Sequence, residues 1–150
     1  MAESTELHRT TDHTEIRRQI AKVIEALQAK DLDALEQLYT TDVVSFDIEP
    51  PLQHVGIAAK LDNWARVFQV FDTLTYDIRD LTVTASGDVA FGHAFARLRG
   101  TLTDGTTTPG MWVRVTYGMR RIDRTWLNAH DQVSVPLDIG SGRAVIDLEP

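Results

Sequence analysis

The sequence predicts an α+β fold in which three helices, all near the N-terminus, cover one face of a curved antiparallel sheet. Two observations support this prediction. Apolar residues recur at helical spacing before residue 72, and after it the chain is rich in the β-branched and aromatic residues that favour strands. Because the strands follow one another with short connections, they should form a meander that the helices cover as a second layer.

Three segments carry the helical pattern, and we predict helices over about residues 12–30, 31–39 and 56–71. Asp12 with Glu15 three positions later matches a capping box at the start of the first helix, and Asp31 can cap the second. A first strand at about 43–48 separates the second helix from the third. The third helix has the clearest apolar stripe, formed by Ile57, Leu61, Trp64, Phe68 and Phe71.

The remainder of the chain is predicted to be a meander of four long strands at about 74–84, 89–102, 110–122 and 125–135. Turn sequences such as Ser86-Gly87-Asp88 and Asp123-Arg124 separate them. A helix longer than one turn between residues 88 and 135 would contradict this prediction. The chain is therefore divided into a flexible N-terminus at 1–13, one domain at 14–136 and a C-terminal tail at 137–150.

Composition limits the classes of function. The 150 residues, 43% hydrophobic and 25% charged, suit a single globular domain. A net charge of −7 argues against a nucleic-acid partner, which requires a basic face, and the absence of cysteine excludes disulfide and thiolate chemistry. The five histidines lack metal-ligand spacing, so neither a metal nor a cofactor is expected. No apolar run reaches the roughly 18 residues of a membrane span, and a cytoplasmic protein is expected.

The candidate catalytic residue is Asp47, in the stretch Phe46-Asp47-Ile48-Glu49-Pro50-Pro51. It lies at the end of the first strand, just before a Pro-Pro corner that cannot continue a ladder of hydrogen bonds. At this place a carboxylate can face the gap between sheet and helices and carry protons there. The alternative is a solvated loop acid that ends the strand.

Counting residues outward from the turn at Asp123-Arg124 divides the last two long strands into two faces. If Ile122 lies opposite Thr125, one face holds Trp112, Arg114, Thr116, Ala129, Asp131 and Val133. The other face then holds Val113, Val115, Tyr117, Trp126, Asn128, His130 and Gln132. A one-residue bulge would exchange part of this assignment.

The first face is assigned to a ligand cavity and the second to an interface. Arg114 can hold an anionic or carbonyl oxygen, although it can equally form a structural ion pair with Asp131. The other predicted ligand-binding residues are Trp112, Thr116, Trp64 through its indole N–H, and His54 at the cavity mouth. On the second face, Tyr117, Trp126 and His130 would form an outer patch that two copies of the chain cover in a homodimer.

Several short motifs, spread over about residues 14–136, identify a family by their order and spacing. Together they resemble the SnoaL-like, ketosteroid-isomerase-like family of the nuclear-transport-factor-two-like superfamily. The motifs are residues 26–35 and 38–44, Pro50-Pro51 with Gly56, Trp64 with Phe68, residues 87–90, Arg114-Val115-Thr116, and Trp126, His130 and Ser134-Val135-Pro136. The resemblance implies a cone-shaped fold with the helices on the concave face of the sheet.

The resemblance also suggests roles for individual residues. Asp47 falls where the steroid isomerases of the family keep their proton-shuttling base. Val23 corresponds to the tyrosine that holds the oxyanion in those enzymes, and Arg114 falls near their second oxyanion acid. The usual donor pair is therefore absent, although an arginine can supply positive charge instead.

Two further patterns of the family are only partly present. Its epoxide hydrolases use an acid–arginine–acid arrangement, for which Arg114 and Asp131 could provide two parts, with Thr116 near the place of the second acid. Where many members end with two histidines two residues apart, Gln132 takes the place of the second.

Three hypotheses about function follow. The first is a cofactor-free isomerase or cyclase, in which Asp47 removes a proton next to a carbonyl and Arg114 stabilises the enolate. The second is a non-catalytic module that binds a small molecule or dimerises. The third is an epoxide hydrolase. The expected ligand is small and either hydrophobic or carbonyl-containing, with no membrane or nucleic-acid partner.

Overall fold

Three helices pack on the inner face of a curved sheet in the computed structural model, which describes residues 2–150. The α+β fold is therefore confirmed. The helices are α1 (Ala2–Gln28), α2 (Leu32–Glu36) and α3 (Ile57–Val70). Within the described residues, no helix lies between 88 and 135, as predicted.

The strands form one main sheet of seven and a separate two-stranded hairpin. Their bounds are β1 (Tyr39–Phe46), β2 (His54–Val55), β3 (Phe71–Ser86), β4 (Val89–Leu102), β5 (Thr107–Thr108), β6 (Trp112–Ile122), β7 (Thr125–Ser134), β8 (Leu137–Asp138) and β9 (Arg143–Ala144). The main sheet has the order β2-β1-β7-β6-β4-β3, with β5 on β4. The pairing of β1 with β7 is parallel, and the other pairs are antiparallel.

The first helix is longer than predicted. It begins at Ala2, so the proposed capping box at Asp12 does not start it. The carboxylate of Asp12 instead accepts a hydrogen bond of 2.8 Å from Nη1 of Arg121. The residues from 2 to 13, which we expected to be flexible, are helical, and Met1 lies outside the described residues. The C-terminal tail contains the β8–β9 hairpin.

Two apolar clusters hold the helices on the sheet. One lies between the middle of α1 and the long strands, and the other lies where α1, α2 and α3 meet β1 and β3. The buried residues of α1 are Ile16, Ile20, Val23, Ala26 and Leu27, a stripe that follows the helical repeat. Burial of this stripe against the sheet stabilises the C-terminal half of α1, whereas the first turns of the helix are exposed.

A β-bulge in β7 determines which of its residues face the helices. Thr125 pairs with Ile122 as predicted, and Asn128 pairs with Met119. The next pair, however, is His130 with Gly118, so the ladder skips one residue of β7. Beyond the bulge Asp131 therefore lies opposite Tyr117, and the two share the inner face.

The bulge makes part of the predicted face assignment wrong. On the inner face Asp131 and Val133 lie with Val115 and Tyr117 rather than with Arg114 and Thr116. Arg114 and Thr116 are exposed on the outer face. Within residues 2–150, no helix combines the length and the apolar composition that crossing a membrane requires.

Candidate active site

A buried lysine is the centre of a cluster of charged side chains that lies between α3 and the sheet. Lys60 is 2% exposed. Its Nζ donates to Oγ of Ser45 at 2.7 Å and lies 2.9 Å from Oδ2 of Asp131. The hydroxyl of Ser45 donates in turn to Oδ1 of Asp131. A buried ammonium requires such partners, because losing hydration without them would cost several kcal/mol.

The local fold brings these three residues together. Ser45 and Asp131 are paired neighbours on the parallel strands β1 and β7. Gly56 caps α3 with φ of 88°, a conformation that glycine adopts without strain, and its N–H donates to the carbonyl of Val43 on β1. This contact holds the first turn of α3 against β1, so that Lys60 points to the Ser45–Asp131 pair.

Asp47 stands at the outer end of the cluster. Nδ2 of Asn63 donates to its Oδ2 at 2.8 Å, and Nζ of Lys60 lies 3.7 Å from its Oδ1. Nε2 of His54 lies 3.4 Å from Oδ2. The side chain of Asp47 is 17% exposed, against 3% for Lys60 and 11% for Asp131. A molecule that enters from solvent would therefore meet Asp47 first.

Three tyrosines lie close to this cluster. The Lys60 ammonium is 5.6 Å from the ring centre of Tyr39, and Tyr117 pairs with Asp131 across the β6–β7 ladder. The phenols of Tyr76 and Tyr117 lie close enough for each to affect the pKa of the other. Burial, followed by the charge of Asp131, raises the pKa of Tyr39 and Tyr76; for Tyr117 burial is again the largest cause. The three phenols therefore stay protonated and can act as hydrogen-bond donors.

Four side chains of the interior carry buried polar atoms without a hydrogen-bond partner within residues 2–150, those of Thr40, Trp64, Trp126 and Asn128. Nε1 of Trp64 is buried without an acceptor, and both amide atoms of Asn128 are buried without a hydrogen bond. The Trp64 ring centre lies 5.9 Å from Nζ of Lys60. Because buried polar groups normally have partners, the indole N–H next to Lys60 is a free donor for a bound molecule.

Four of the predicted site residues do meet. Asp47, Asp131 and Trp64 all contact or flank Lys60, and His54 is a buried neighbour of Asp47. Asp47 and Asp131 therefore lie on either side of one lysine, which stands where Arg114 was expected, and their common role in a ligand site stays a prediction.

Three other predicted ligand-binding residues lie elsewhere, and their placement in the interior was wrong. Arg114 and Thr116 are on the outer face, where Nε of Arg114 donates to Oγ of Ser134 at 3.1 Å. The guanidinium of Arg97 lies 4.7 Å from the ring centre of Trp112, which is also on the outer face. The physical reason is that β6 packs its Val115–Tyr117 face under the helices, which leaves Arg114 on the other side. The bulge in β7 then brings Asp131, and not Arg114, to the inner face.

The predicted outer patch was wrong for two of its three residues. Tyr117 and Trp126 are 6% and 1% exposed and belong to the core. His130 does lie on the outer face, where Nδ1 is 2.6 Å from the carbonyl oxygen of Val44 and its ring meets the edge of Phe46. Tyr117 and Trp126 therefore stabilise the packing of the helices on the sheet.

Three residues of the cluster, Lys60, Ser45 and Asn63, were not predicted as site residues. The sequence does contain one indication of Lys60, because it lies three residues after Ile57 and four before Trp64, both on the apolar stripe of α3. A cation at a core position of a helix requires a buried partner. Within residues 2–150, no group of three or more His, Asp or Glu side chains has the arrangement of a metal site.

The helix-covered curved sheet is the α+β fold known as NTF2-like. A family model for the SnoaL-like domain matches residues 16–138, and the chain belongs to this family. The match covers the whole main sheet, α2, α3 and the part of α1 that packs on the sheet.

Solved structures agree with this assignment. An NTF2-like protein of unknown function from Pseudomonas putida is 28% identical, with a TM-score of 0.82 over 94% of this chain and 98% of that one. An NTF2-like superfamily protein from Salmonella enterica is 17% identical, with a TM-score of 0.79 over 91% and 99%. An NTF2-like protein with a cystatin-like fold from Novosphingobium aromaticivorans is 20% identical, with a TM-score of 0.75 over 93% and 92%. No curated protein matches the chain.

Proposed function

We propose that this protein is a cofactor-free enzyme that transfers a proton next to a carbonyl group, in an isomerisation or an aldol-type cyclisation. The observation that carries the proposal is the position of Asp47, a partly accessible carboxylate 3.7 Å from the buried ammonium of Lys60. A base beside a fixed positive charge is the arrangement that enolate formation requires.

In the proposed reaction, a carboxylate oxygen of Asp47 takes the proton from the carbon next to the carbonyl. The electron pair of that C–H bond forms a carbon–carbon double bond, the π pair of the carbonyl moves to its oxygen, and an enolate results. For isomerisation, Asp47 returns the proton to a different carbon of a conjugated enolate. For cyclisation, the enolate carbon attacks a second carbonyl and closes a ring, and the alkoxide that forms takes the proton back from Asp47. Asn63, which donates to Oδ2, holds the carboxylate in place through both steps.

Lys60 takes the role that we first assigned to Arg114. Two of its three N–H bonds go to Ser45 and Asp131, and the third is free to face the gap toward Asp47. An enolate oxygen in that gap would receive this N–H and be stabilised by the positive charge. The unpartnered indole N–H of Trp64 supplies a second donor on the same side.

Asp131 and Ser45 are positioning residues in this proposal. They bond directly to the Lys60 ammonium and fix its direction. Asp131 is less accessible than Asp47 and is already an acceptor for both Ser45 and Lys60. For this reason we assign the base to Asp47.

One observation favours a second candidate, the hydrolysis of an epoxide. Lys60 bridges the carboxylates of Asp47 and Asp131 and so forms an acid–cation–acid arrangement, with lysine where the sequence suggested Arg114. Such a hydrolysis needs one carboxylate to activate water and the other to protonate the epoxide oxygen. Both carboxylate oxygens of Asp131 are already engaged by Ser45 and Lys60, and its side chain is less exposed than that of Asp47, so we rank this candidate second.

The direct test is exchange of carbon-bound protons. A panel of small cyclic ketones and β-diketones in D₂O, followed by proton NMR, detects deprotonation without knowledge of the natural product. We expect catalysed exchange at the carbon next to the carbonyl, and a fall of about 10²–10⁴-fold in Asp47→Asn.

The control is Asp42→Asn, which removes a carboxylate from the exposed outer side of β1 and should leave exchange unchanged. If Asp47→Asn keeps its exchange activity, Asp47 is not the base. Wild-type protein that binds these compounds but never exchanges their protons would support the alternative of a binding module. Turnover of an epoxide without ketone exchange would support the second candidate.

A further inference from the structure

The outer face of the sheet, which the proposed reaction does not use, concentrates positive charge in a chain of net charge −7. Strand pairing places four arginines around Trp112 on β3, β4 and β6. Within the described residues, the single carboxylate paired with any of them is Asp77. The four arginines are Arg79, Arg97, Arg99 and Arg114.

A cleft of about 570 Å³ opens beside two of these arginines, at the end of the sheet formed by β3, β4 and β5. Arg97 and Arg99 form its basic wall. The rest of the lining is dominated by hydroxyl groups, those of Thr73, Thr75, Thr101, Thr107 and Thr108. The volume falls within the range of small-molecule sites, about 300–1,000 Å³.

The two arginines of the cleft keep donors free. Arg97 uses Nε and Nη2 on Asp77, at 3.1 and 3.0 Å, and Arg99 uses Nε and Nη2 at 2.7 and 3.3 Å. The Nη1 group of each donates to no residue in the described part of the chain. Two guanidinium charges therefore share one carboxylate, which leaves one positive charge and two Nη1 groups for another anion.

We propose that this cleft binds a small phosphate-bearing ligand. A phosphate monoester carries about −1.5 to −2 charges at neutral pH, more than the single charge of the carboxylate that already holds both arginines. Its oxygens accept hydrogen bonds from guanidinium forks and hydroxyls together, which the lining supplies. The acidity of the remaining chain disfavours an extended polyanion, so the ligand is a small one.

The test is calorimetric titration of the full chain with inorganic pyrophosphate at low ionic strength. We expect saturable binding to the wild type and about tenfold weaker binding to Arg99→Gln, since a hydrogen bond to a charged group is lost. Thr75→Val, which keeps every ion pair, should weaken binding by a smaller factor of about threefold.

The matched control is Arg120→Gln. Arg120 is also on the outer face, its side chain is 45% exposed against 43% for Arg99, and it too is paired with one aspartate. It lies outside the cleft, so we expect wild-type affinity. Absence of saturable binding in the wild type, or equal weakening in Arg99→Gln and Arg120→Gln, would overturn the proposal. Malonate that binds as tightly as pyrophosphate would overturn the assignment of phosphate.

Discussion

Lys60 Nζ and Asp131 Oδ2 are 2.9 Å apart, and both side chains are almost entirely removed from solvent. The pair joins α3 to β7, two elements that are far apart in the chain and that close the interior from opposite sides. The contribution of this pair to stability can be measured by unfolding, separately from its proposed role in catalysis.

Removing one partner of this pair should destabilise the protein strongly. In Lys60→Met the carboxylate of Asp131 stays buried without its counter-ion, and we expect a loss of about 3–5 kcal/mol in the free energy of unfolding. The double variant Lys60→Met/Asp131→Leu should recover much of this loss, because neither charge is then buried alone. Urea unfolding at neutral pH measures both values.

The exposed pair Arg120–Asp42 is the comparison for that experiment. Its charged atoms are 2.6 Å apart, but both side chains are well exposed, and Arg120→Met should change stability far less than Lys60→Met. If Lys60→Met/Asp131→Leu is no more stable than Lys60→Met, the loss does not come from leaving the Asp131 carboxylate buried without its counter-ion.

Much of the fold could be predicted because its elements have clear periods. The strands at 89–102 and 125–134 and the helix at 57–70 were located within a few residues from apolar spacing and turn sequences. The start of α1 was missed because residues 2–11 are polar and have no apolar stripe, so no burial pattern marks the helix. The bulge in β7 was also beyond prediction, since counting faces assumes an uninterrupted ladder.

The candidate site was only half predictable for a related reason. Asp47 could be found from its place at a strand end, which depends on nearby residues alone. The partnership of Lys60 with Ser45 and Asp131 depends on the parallel pairing of β1 with β7, which joins residues 86 positions apart. Nothing in a single sequence specifies such a pairing, so Arg114 was the better-supported cation before the fold was known.

The acid limit of stability should depend on Asp77. Hydrogen bonds from Arg99 and Arg97 hold the pKa of this carboxyl below its usual range. A carboxyl whose pKa is lower in the folded state stabilises the fold at pH values above its unfolded pKa of about 3.9. This stabilisation is lost as the pH falls through its folded-state pKa. Asp77→Asn should therefore lose less stability than the wild type when the pH is lowered from 5 to 2, measured by urea unfolding at each pH.

Asp123→Asn is a suitable control for this acid titration, because Asp123 is exposed in the β6–β7 turn and makes no ion pair with another described residue. It should follow the wild-type curve. An Asp77→Asn curve parallel to that of the wild type would show that the two arginines do not hold the carboxyl in its charged form.

We still predict a homodimer through the outer face, but with different residues from Tyr117 and Trp126. Paired positions place Phe91, Gly118, His130, Val44 and Val55 in one row across five strands. Phe91 and Val55 are 51% and 60% exposed, an apolar row that a second copy could cover through the same surface. Light scattering at micromolar concentration should give twice the monomer mass for the wild type and the monomer mass for Phe91→Glu.

Leu52→Glu tests whether any added charge would separate the copies. Leu52 is 96% exposed in the loop after the Pro-Pro corner, and the substitution should leave the dimer intact. A wild-type protein of monomer mass would contradict the prediction, as would separation by both variants alike.

The last prediction concerns the alkaline limit of stability. The chain has three tyrosines, Tyr39, Tyr76 and Tyr117, and burial raises the pKa of each above its usual value of about 10. Because the folded protein holds these protons more tightly than the unfolded chain, stability is complete below pH 10 and falls as the pH rises above it, by up to about 1.4 kcal/mol per pH unit for each phenol. The tyrosinate absorbance near 295 nm should therefore appear in one step that coincides with the loss of helical circular dichroism. Tyr39→Phe should move this step to higher pH, since one fewer proton is released on unfolding. Absorbance that develops near pH 10 while the circular dichroism is still native would show that at least one phenol is open to solvent, and the burial of all three tyrosines would then be wrong.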